Sequence, residues 1–335
     1  MKKMETIHIT RESGIPLMGA IQFGIIDRGT NLLQIRGTTS CNLNCPFCST
    51  DGGPFSKNHK TIYTVDKDYL LEWVEEVVKF KGSEGIEANL DSVGEPFAYK
   101  DFIPLAKDIA KIKGIYKISM QSNGTLIKKE MLDELDQIGI PIRINLSLHA
   151  TNNEEGKVLA GVDWYKSTEI IEIARHIASK KNLELLLAPV WLPSFNDEGI
   201  KDIIELSKEL NCLLGIQKYE IYKHSRKFKK AKNITFWKFY RQLEIWEKEH
   251  NTSLKLDANV FKFEKKARFP KTMDVNQKVY AKIIAPGWNK DQMIGIANNR
   301  CITINKCTAE IGGEVKIKIV QNKNNIYLGE LTKKH

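Results

Sequence analysis

The side chains best suited to chemistry in this chain are Cys41, Cys45 and Cys48, which share one short stretch, Cys41-Asn42-Leu43-Asn44-Cys45-Pro46-Phe47-Cys48. Three closely spaced thiolates on one loop can hold three irons of a cubane iron–sulfur cluster. The fourth iron then has no protein ligand, and an open coordination position marks a catalytic rather than a structural metal. A chelating amino and carboxylate pair fits such a vertex. The competing assignment is a zinc site completed from elsewhere, for instance by His59. Zinc ligands more often come as two spaced pairs, and no second C-x2-C occurs here. Phe47, just before the last thiol, offers the cluster cover from water.

Six cysteines in 335 residues, three of them within eight positions and the others at Cys212, Cys301 and Cys307, are too few and too unevenly spaced for a disulfide framework, so a reducing compartment is expected. No run of about 18 apolar residues occurs, and the opening MKKMETIHITRESG lacks the apolar middle of a secretory signal. A cytoplasmic protein without membrane association is expected. Charge is distributed unevenly: residues 222–335 carry 25 Lys and Arg against 10 Asp and Glu, net +15, and the preceding residues carry 26 against 31, net −5. A basic C-terminal part suits a polyanionic partner, or else a solvated lysine-rich surface.

The cysteine loop needs a scaffold. Short apolar, β-rich runs occur at residues 32–36, 86–91, 117–121, 142–148, 183–190 and 213–221. They alternate with helically spaced apolar residues at 65–80, 102–113, 128–138, 167–179 and 197–210. Gly82, Gly114 and Gly139 sit just past helices, where positive φ is wanted. Six such alternations predict an α/β fold with a parallel sheet, an open partial (β/α)6 TIM-like barrel, with ligands at the carboxyl ends of the strands. The expected organisation is a hairpin-like lead-in over 1–30, the barrel over 31–232, a helical and basic connector over 233–277, and a small all-β barrel over 278–335.

The stretch CNLNCPFC resembles the signature of the radical S-adenosylmethionine (radical SAM) superfamily, and the resemblance extends over roughly residues 31–222. It implies a [4Fe-4S] cluster on Cys41, Cys45 and Cys48, with Phe47 beside the cofactor. Asp91-Ser92-Val93-Gly94-Glu95-Pro96 is similar to the family's glycine-glycine-glutamate motif, which implies that Gly94 and Glu95 receive the methionine amino group. Val93 stands where the first glycine usually lies. The same resemblance implies cofactor contacts at Asn123, in an Asn-Gly turn, and at Ser147, beside the ribose. His149 is either a proton carrier or a satisfied histidine at a strand end. The loop around Trp191 resembles the segment that lies along the adenine. The implied chemistry is one-electron cleavage of S-adenosylmethionine to a 5′-deoxyadenosyl radical, fed by a low-potential donor such as ferredoxin or flavodoxin.

Residues 293–331 are similar in strand spacing to a TRAM domain, an OB-like small barrel attached to RNA-modifying enzymes. That resemblance implies an RNA substrate, tRNA first of all, with Arg300, Lys306, Lys316 and Lys318 near phosphates. Arg226, Lys227, Lys229 and Lys230 would extend this surface to the barrel rim. The alternatives are a radical enzyme acting on a peptide, protein or small metabolite, and an RNA-binding module with a structural cluster. No cysteine precedes Cys41, which argues against a second cluster there and against methylthiolation. Cys301 and Cys307 are expected in the β-module core, where they could otherwise join a second metal, and Cys212 is also expected to be core.

Overall fold

The computed structural model describes residues 4–256 and 259–332. Strands β1 (Glu5–Ile9), β2 (Gly24–Asp27), β3 (Leu32–Arg36) and β4 (Thr61–Val65) lead to helix α1 (Lys67–Phe80). Then follow β5 (Ile86–Leu90), α2 (Phe102–Ala110), β6 (Ile115–Ser122), α3 (Lys129–Asp136), β7 (Ile142–Leu146), α4 (Asn153–Ala160) and α5 (Ser167–Ala178). Next come β8 (Leu183–Leu187), β9 (Val190–Trp191), α6 (Asp197–Glu209), β10 (Leu213–Leu214), β11 (Gln217–Lys218) and α7 (Phe236–His250). Strands β12 (Lys278–Pro286), β13 (Gln292–Ala297), β14 (Arg300–Asn305), β15 (Glu314–Gln321) and β16 (Leu328–Leu331) complete the chain.

The main sheet has the strand order β10-β8-β7-β6-β5-β3-β2. Pairs β3–β5, β6–β7, β7–β8 and β8–β10 are parallel, and β2 is the antiparallel edge. This is the expected open partial barrel, and its helices form for local reasons. In α1 the Asp66 carboxylate accepts from the Asp68 and Tyr69 amides, and Leu70, Trp73, Val74, Val77 and Val78 turn one face inward at helical spacing.

Four elements depart from expectation. The fifth run splits into β8 and β9 because Pro189 has no amide N–H to continue the ladder. The sixth splits beside it: Leu213–Leu214 pairs with β8 and Gln217–Lys218 with β9, bridged by Gly215 N donating to Leu187 O and Gln217 N to Pro189 O. Helix α4 had no counterpart in the periodicity. It is short, is capped by Asn152 accepting from Glu155 N, and ends at Gly161 with φ +68°. The lead-in is no separate hairpin, since β2 pairs with β3 and β1 runs parallel to β4.

Two compact units result: one holds the chain up to Ser40, Ser56–Tyr116 and everything from Glu264 on, the other Cys41–Phe55 and Lys117–Phe263. In the first unit the last five strands form a closed barrel, β12-β13-β14-β16-β15. Its core is Ala281, Ile283, Ile302, Ile304, Ile317, Ile319 and Tyr327, joined by Cys307. Cys301 is also buried, with its thiol donating to Pro16 O and its amide to Met18 O, so the expectation that both cysteines are core holds. Cys212 is only half-buried. Lys81 and Asp27 form a fully buried ion pair at 2.8 Å. The ammonium also donates to Thr30 O and Ala267 O, and Asp27 accepts from Phe269 N, so neither charge lacks compensation.

The second unit has an apolar cluster of Phe47, Ala150, Leu159, Leu192, Tyr219 and Phe228. Among the described residues no helix is long and apolar enough to cross a membrane.

Candidate metal centre

Each sequence motif singled out above follows the carboxyl end of a parallel strand: the cysteines follow β3, Gly94 and Glu95 follow β5, Asn123 follows β6, and Ser147 follows β7. The cysteine loop is held by its neighbours in the second unit. Asn44 N donates to Ala160 O at the end of α4, and a Cβ on Gly161 would press on Asn44 O. Gly53, at φ +96°, lies equally close to Leu43 O. Phe47 is 7% exposed and its ring enters the apolar cluster, so the side chain anchors the loop.

Asn123 is bonded to this loop, and Ser147 and His149 line a cavity with it. Asn123 donates to Asn42 Oδ1 at 3.1 Å and accepts from the Thr125 amide, while Asn42 donates to Thr125 Oγ1 at 2.8 Å. Ser147 accepts from Gln121 Nε2 at 2.7 Å. Leu43, Cys45, Ser147, His149 and Tyr165 share one small cavity. In the first unit, Glu95 N donates to the carbonyl of Ser40, the residue before Cys41, at 2.7 Å. A Cβ on Gly94 would approach that carbonyl to less than 3.0 Å. The Glu95 carboxylate is 1% exposed and accepts from Phe97 N, capping the turn Pro96–Ala98.

Trp191 is core: its indole donates to Asp197, and it packs between Phe239 and Trp246. His59 stacks on Trp288 in the first unit, with ring centroids 3.7 Å apart.

His149 Nδ1 accepts from Val190 N at 3.0 Å, and burial lowers its pKa from 6.5 to about 4. It is a neutral, satisfied imidazole at pH 7. Below pH 6.5 the unfolded chain takes up a proton that the folded chain refuses until about pH 4, so stability falls across that window by at most about 3 kcal/mol. His149→Asn, which retains an acceptor near Val190 N, is expected to flatten this part of the pH dependence, read from melting temperatures of both proteins between pH 7 and 4.

Two of the expected basic contacts turn inward. Arg226 donates from Nε to Asp51 Oδ1 (2.6 Å), from Nη1 to Cys45 O (3.0 Å) and from Nη2 to Gly52 O (2.7 Å), and its amide donates to Cys48 O (2.9 Å). These bonds turn the side chain toward the cysteine loop, unlike the exposed lysines on either side of it. Arg300 is 4% exposed, donates to Asn299 O and Pro270 O, and lies over the Phe269 ring, so it too is withdrawn from solvent. Lys227, Lys229, Lys230, Lys306, Lys316 and Lys318 are exposed.

Burial comes first among the causes that push the Cys45 thiol pKa up, followed by the charges of Cys41 and Cys48, while Arg226 pulls it down. Cys45 therefore lies close enough to the other two cysteines to feel both. Among the described residues no three His, Cys, Asp or Glu are drawn together tightly enough to hold a single metal ion. The donor set fits iron: three soft thiolates on one loop, with Cys48 Sγ also accepting from Gly52 N at 3.2 Å.

An open parallel sheet with a three-thiol loop at the carboxyl end of its first parallel strand defines an α/β protein of the partial-barrel class. The family model of the radical SAM superfamily matches residues 35–207. An uncharacterized protein of Methanocaldococcus jannaschii is 38% identical over 98% of this chain and 81% of its own length. The GTP 3′,8-cyclase of Aquifex aeolicus is 30% identical over 58% of each chain, so the match spans little more than half of that enzyme. Among solved structures, Streptococcus suis SuiB bound to S-adenosylmethionine aligns with a TM-score of 0.51 and 17% identity, covering 74% of this chain and 52% of SuiB, which is a likeness of fold. The chain belongs to the radical SAM superfamily, whose members bind a [4Fe-4S] cluster and S-adenosylmethionine.

Proposed function

We propose that Cys41, Cys45 and Cys48 hold three irons of the cluster and that this chain cleaves S-adenosylmethionine to modify structured RNA, with tRNA the first candidate. The observation that carries the cofactor assignment is the single loop on which three cysteines are brought together and held by hydrogen bonds from several sides. When bound, such a cluster would supply the single electron for cleavage of the C5′–S bond of S-adenosylmethionine, with methionine released. The residues of this chain orient and shield. Gly94 leaves room for backbone approach, Glu95 offers a carboxylate to the methionine ammonium, Asn123 and Ser147 offer polar contacts at the nucleoside, and Phe47 closes the loop to water. Ferredoxin or flavodoxin is the proposed electron source.

The RNA substrate is supported by the outer face of the C-terminal barrel, which we assign as TRAM-like. Lys278 and Tyr280 on β12 stand opposite Lys318 and Lys316 on β15, and the Lys316 ammonium lies 5.3 Å from the Tyr280 ring. An exposed aromatic ringed by cations suits a nucleobase flanked by phosphates. Lys227, Lys229 and Lys230 add a second set of exposed cations. A different substrate, a nucleotide or other small metabolite, is favoured by one observation, the 30% identity to the GTP 3′,8-cyclase.

Anaerobic reduction of the reconstituted protein with labelled S-adenosylmethionine, total RNA and a nucleotide pool decides between them. 5′-Deoxyadenosine together with a mass change in RNA supports RNA modification, and a change confined to the nucleotide pool overturns it. Replacing Lys316 and Lys318 with alanine is expected to lower RNA affinity about tenfold and to reduce the salt slope of log Kd by about 2, one unit per lost phosphate contact, read by titration at several salt concentrations.

A further inference from the structure

Five lysines of the 222–232 loop face solvent, while Arg226 and Phe228 alternate inward. The Arg226 guanidinium spends its donors on the turn that carries the last two cysteines: on Cys45 O, on Gly52 O, and on the carboxylate of Asp51, which is 2% exposed. Its own amide takes Cys48 O. Four acceptors of one turn are thus satisfied by one residue nearly two hundred positions away. Inside that turn Asp51 has φ +55°, and Gly52 N donates to Cys48 Sγ. A planar fork with fixed donor directions can hold a carboxylate and two carbonyls together, which a lysine ammonium cannot reproduce.

We propose that Arg226 is a positioning residue for the iron–sulfur cluster: paired with Asp51, it fixes the turn between Cys45 and Gly52 so that both thiolates are presented to the metal, and it sets the electrostatic environment in which the cluster is reduced. The proposal rests on the assignment of Cys41, Cys45 and Cys48 as cluster ligands. Without Arg226, the Asp51 carboxylate and the carbonyls of Cys45 and Gly52 lose these hydrogen bonds, and the turn is held less firmly. Loss of a cation beside an anionic cluster also makes reduction less favourable, because cluster potentials follow net charge and hydrogen bonding.

The test uses the full chain reconstituted anaerobically, as wild type, Arg226→Ala, Arg226→Lys and Asp51→Asn. Iron and sulfide content, the electron paramagnetic resonance spectrum of the reduced cluster and its midpoint potential are measured on each. Wild type without a cluster would refute the ligand assignment itself. With wild type loaded, Arg226→Ala is expected to retain less than a fifth of the cluster after desalting and to show an altered spectrum and a more negative potential in the loaded fraction. Arg226→Lys is expected to restore most of the potential but not the retention. Asp51→Asn is expected to lose retention with a smaller shift in potential. If Arg226→Ala does not fold, as judged by circular dichroism, the other two variants decide. Wild-type retention, spectrum and potential in all the variants that fold would overturn the proposal.

Discussion

Cys45→Ala is expected to abolish 5′-deoxyadenosine formation, a loss of at least three orders of magnitude, while the apo-protein melts within a few degrees of wild type. Cys45 is the middle cysteine of the proposed ligand trio, and its thiol pKa is raised by burial first and then by the neighbouring Cys41 and Cys48. Burial keeps the Cys45 thiol protonated and neutral in the metal-free protein, so its removal deletes a ligand without removing a charge. A small, partly exposed side chain changed to alanine leaves only a small void, so the stability term stays at about 1 kcal/mol. Activity responds differently, because two thiolates leave two irons of a cubane without protein ligands and the cluster is not retained. Iron analysis and the visible iron–sulfide absorption test the first half, thermal unfolding of the metal-free proteins the second. A zinc-containing protein, or one whose activity survives the change, would refute the assignment of the trio.

The contrast between Cys45 and Arg226 shows what a sequence discloses about such a site. The thiols are legible because the chemistry demands a fixed short spacing, and spacing is what a sequence records. The β-barrel is legible for a related reason, since alternation over 278–331 registers directly as in and out on β12 and β15. Arg226 was hidden in a run of cations whose summed charge suggested one solvated face, and its partner Asp51 lies 175 residues earlier. The one local signal is that Arg226 and Phe228, two apart in extended chain, turn inward together. Lys81 was hidden in the same way: as a basic residue ending α1 it looks like an ordinary dipole partner, and only the fold brings Asp27 and Ala267 O to it. Pro189 did announce the break between β8 and β9, but apolar content on both sides of it masked the interruption.

Gly53→Ala is expected to destabilise the protein by about 3–5 kcal/mol and to cut cluster content severalfold. Two separate penalties meet there. The backbone stands at φ +96°, where a Cβ costs about 1–3 kcal/mol. The same Cβ would also overlap Leu43 O, a backbone atom that cannot swing aside without moving the cysteine loop. Overpacking of that kind adds about 1–3 kcal/mol. The penalties separate in two companion variants. Gly139→Ala has φ +90° with nothing within 4 Å, so it pays only for conformation and is expected to keep its cluster. Gly94 is not at positive φ, yet its Cβ would fall on Ser40 O beside Cys41, so Gly94→Ala is expected to lose cluster through contact alone. Melting temperatures of the apo-proteins should rank Gly139→Ala above Gly94→Ala and Gly53→Ala. Cluster content should divide the set differently, with Gly139→Ala at the wild-type level and the other two well below. Equal cluster content in all three would mean that the approach of Gly53 to Leu43 and of Gly94 to Ser40 plays no part in shaping the thiol loop.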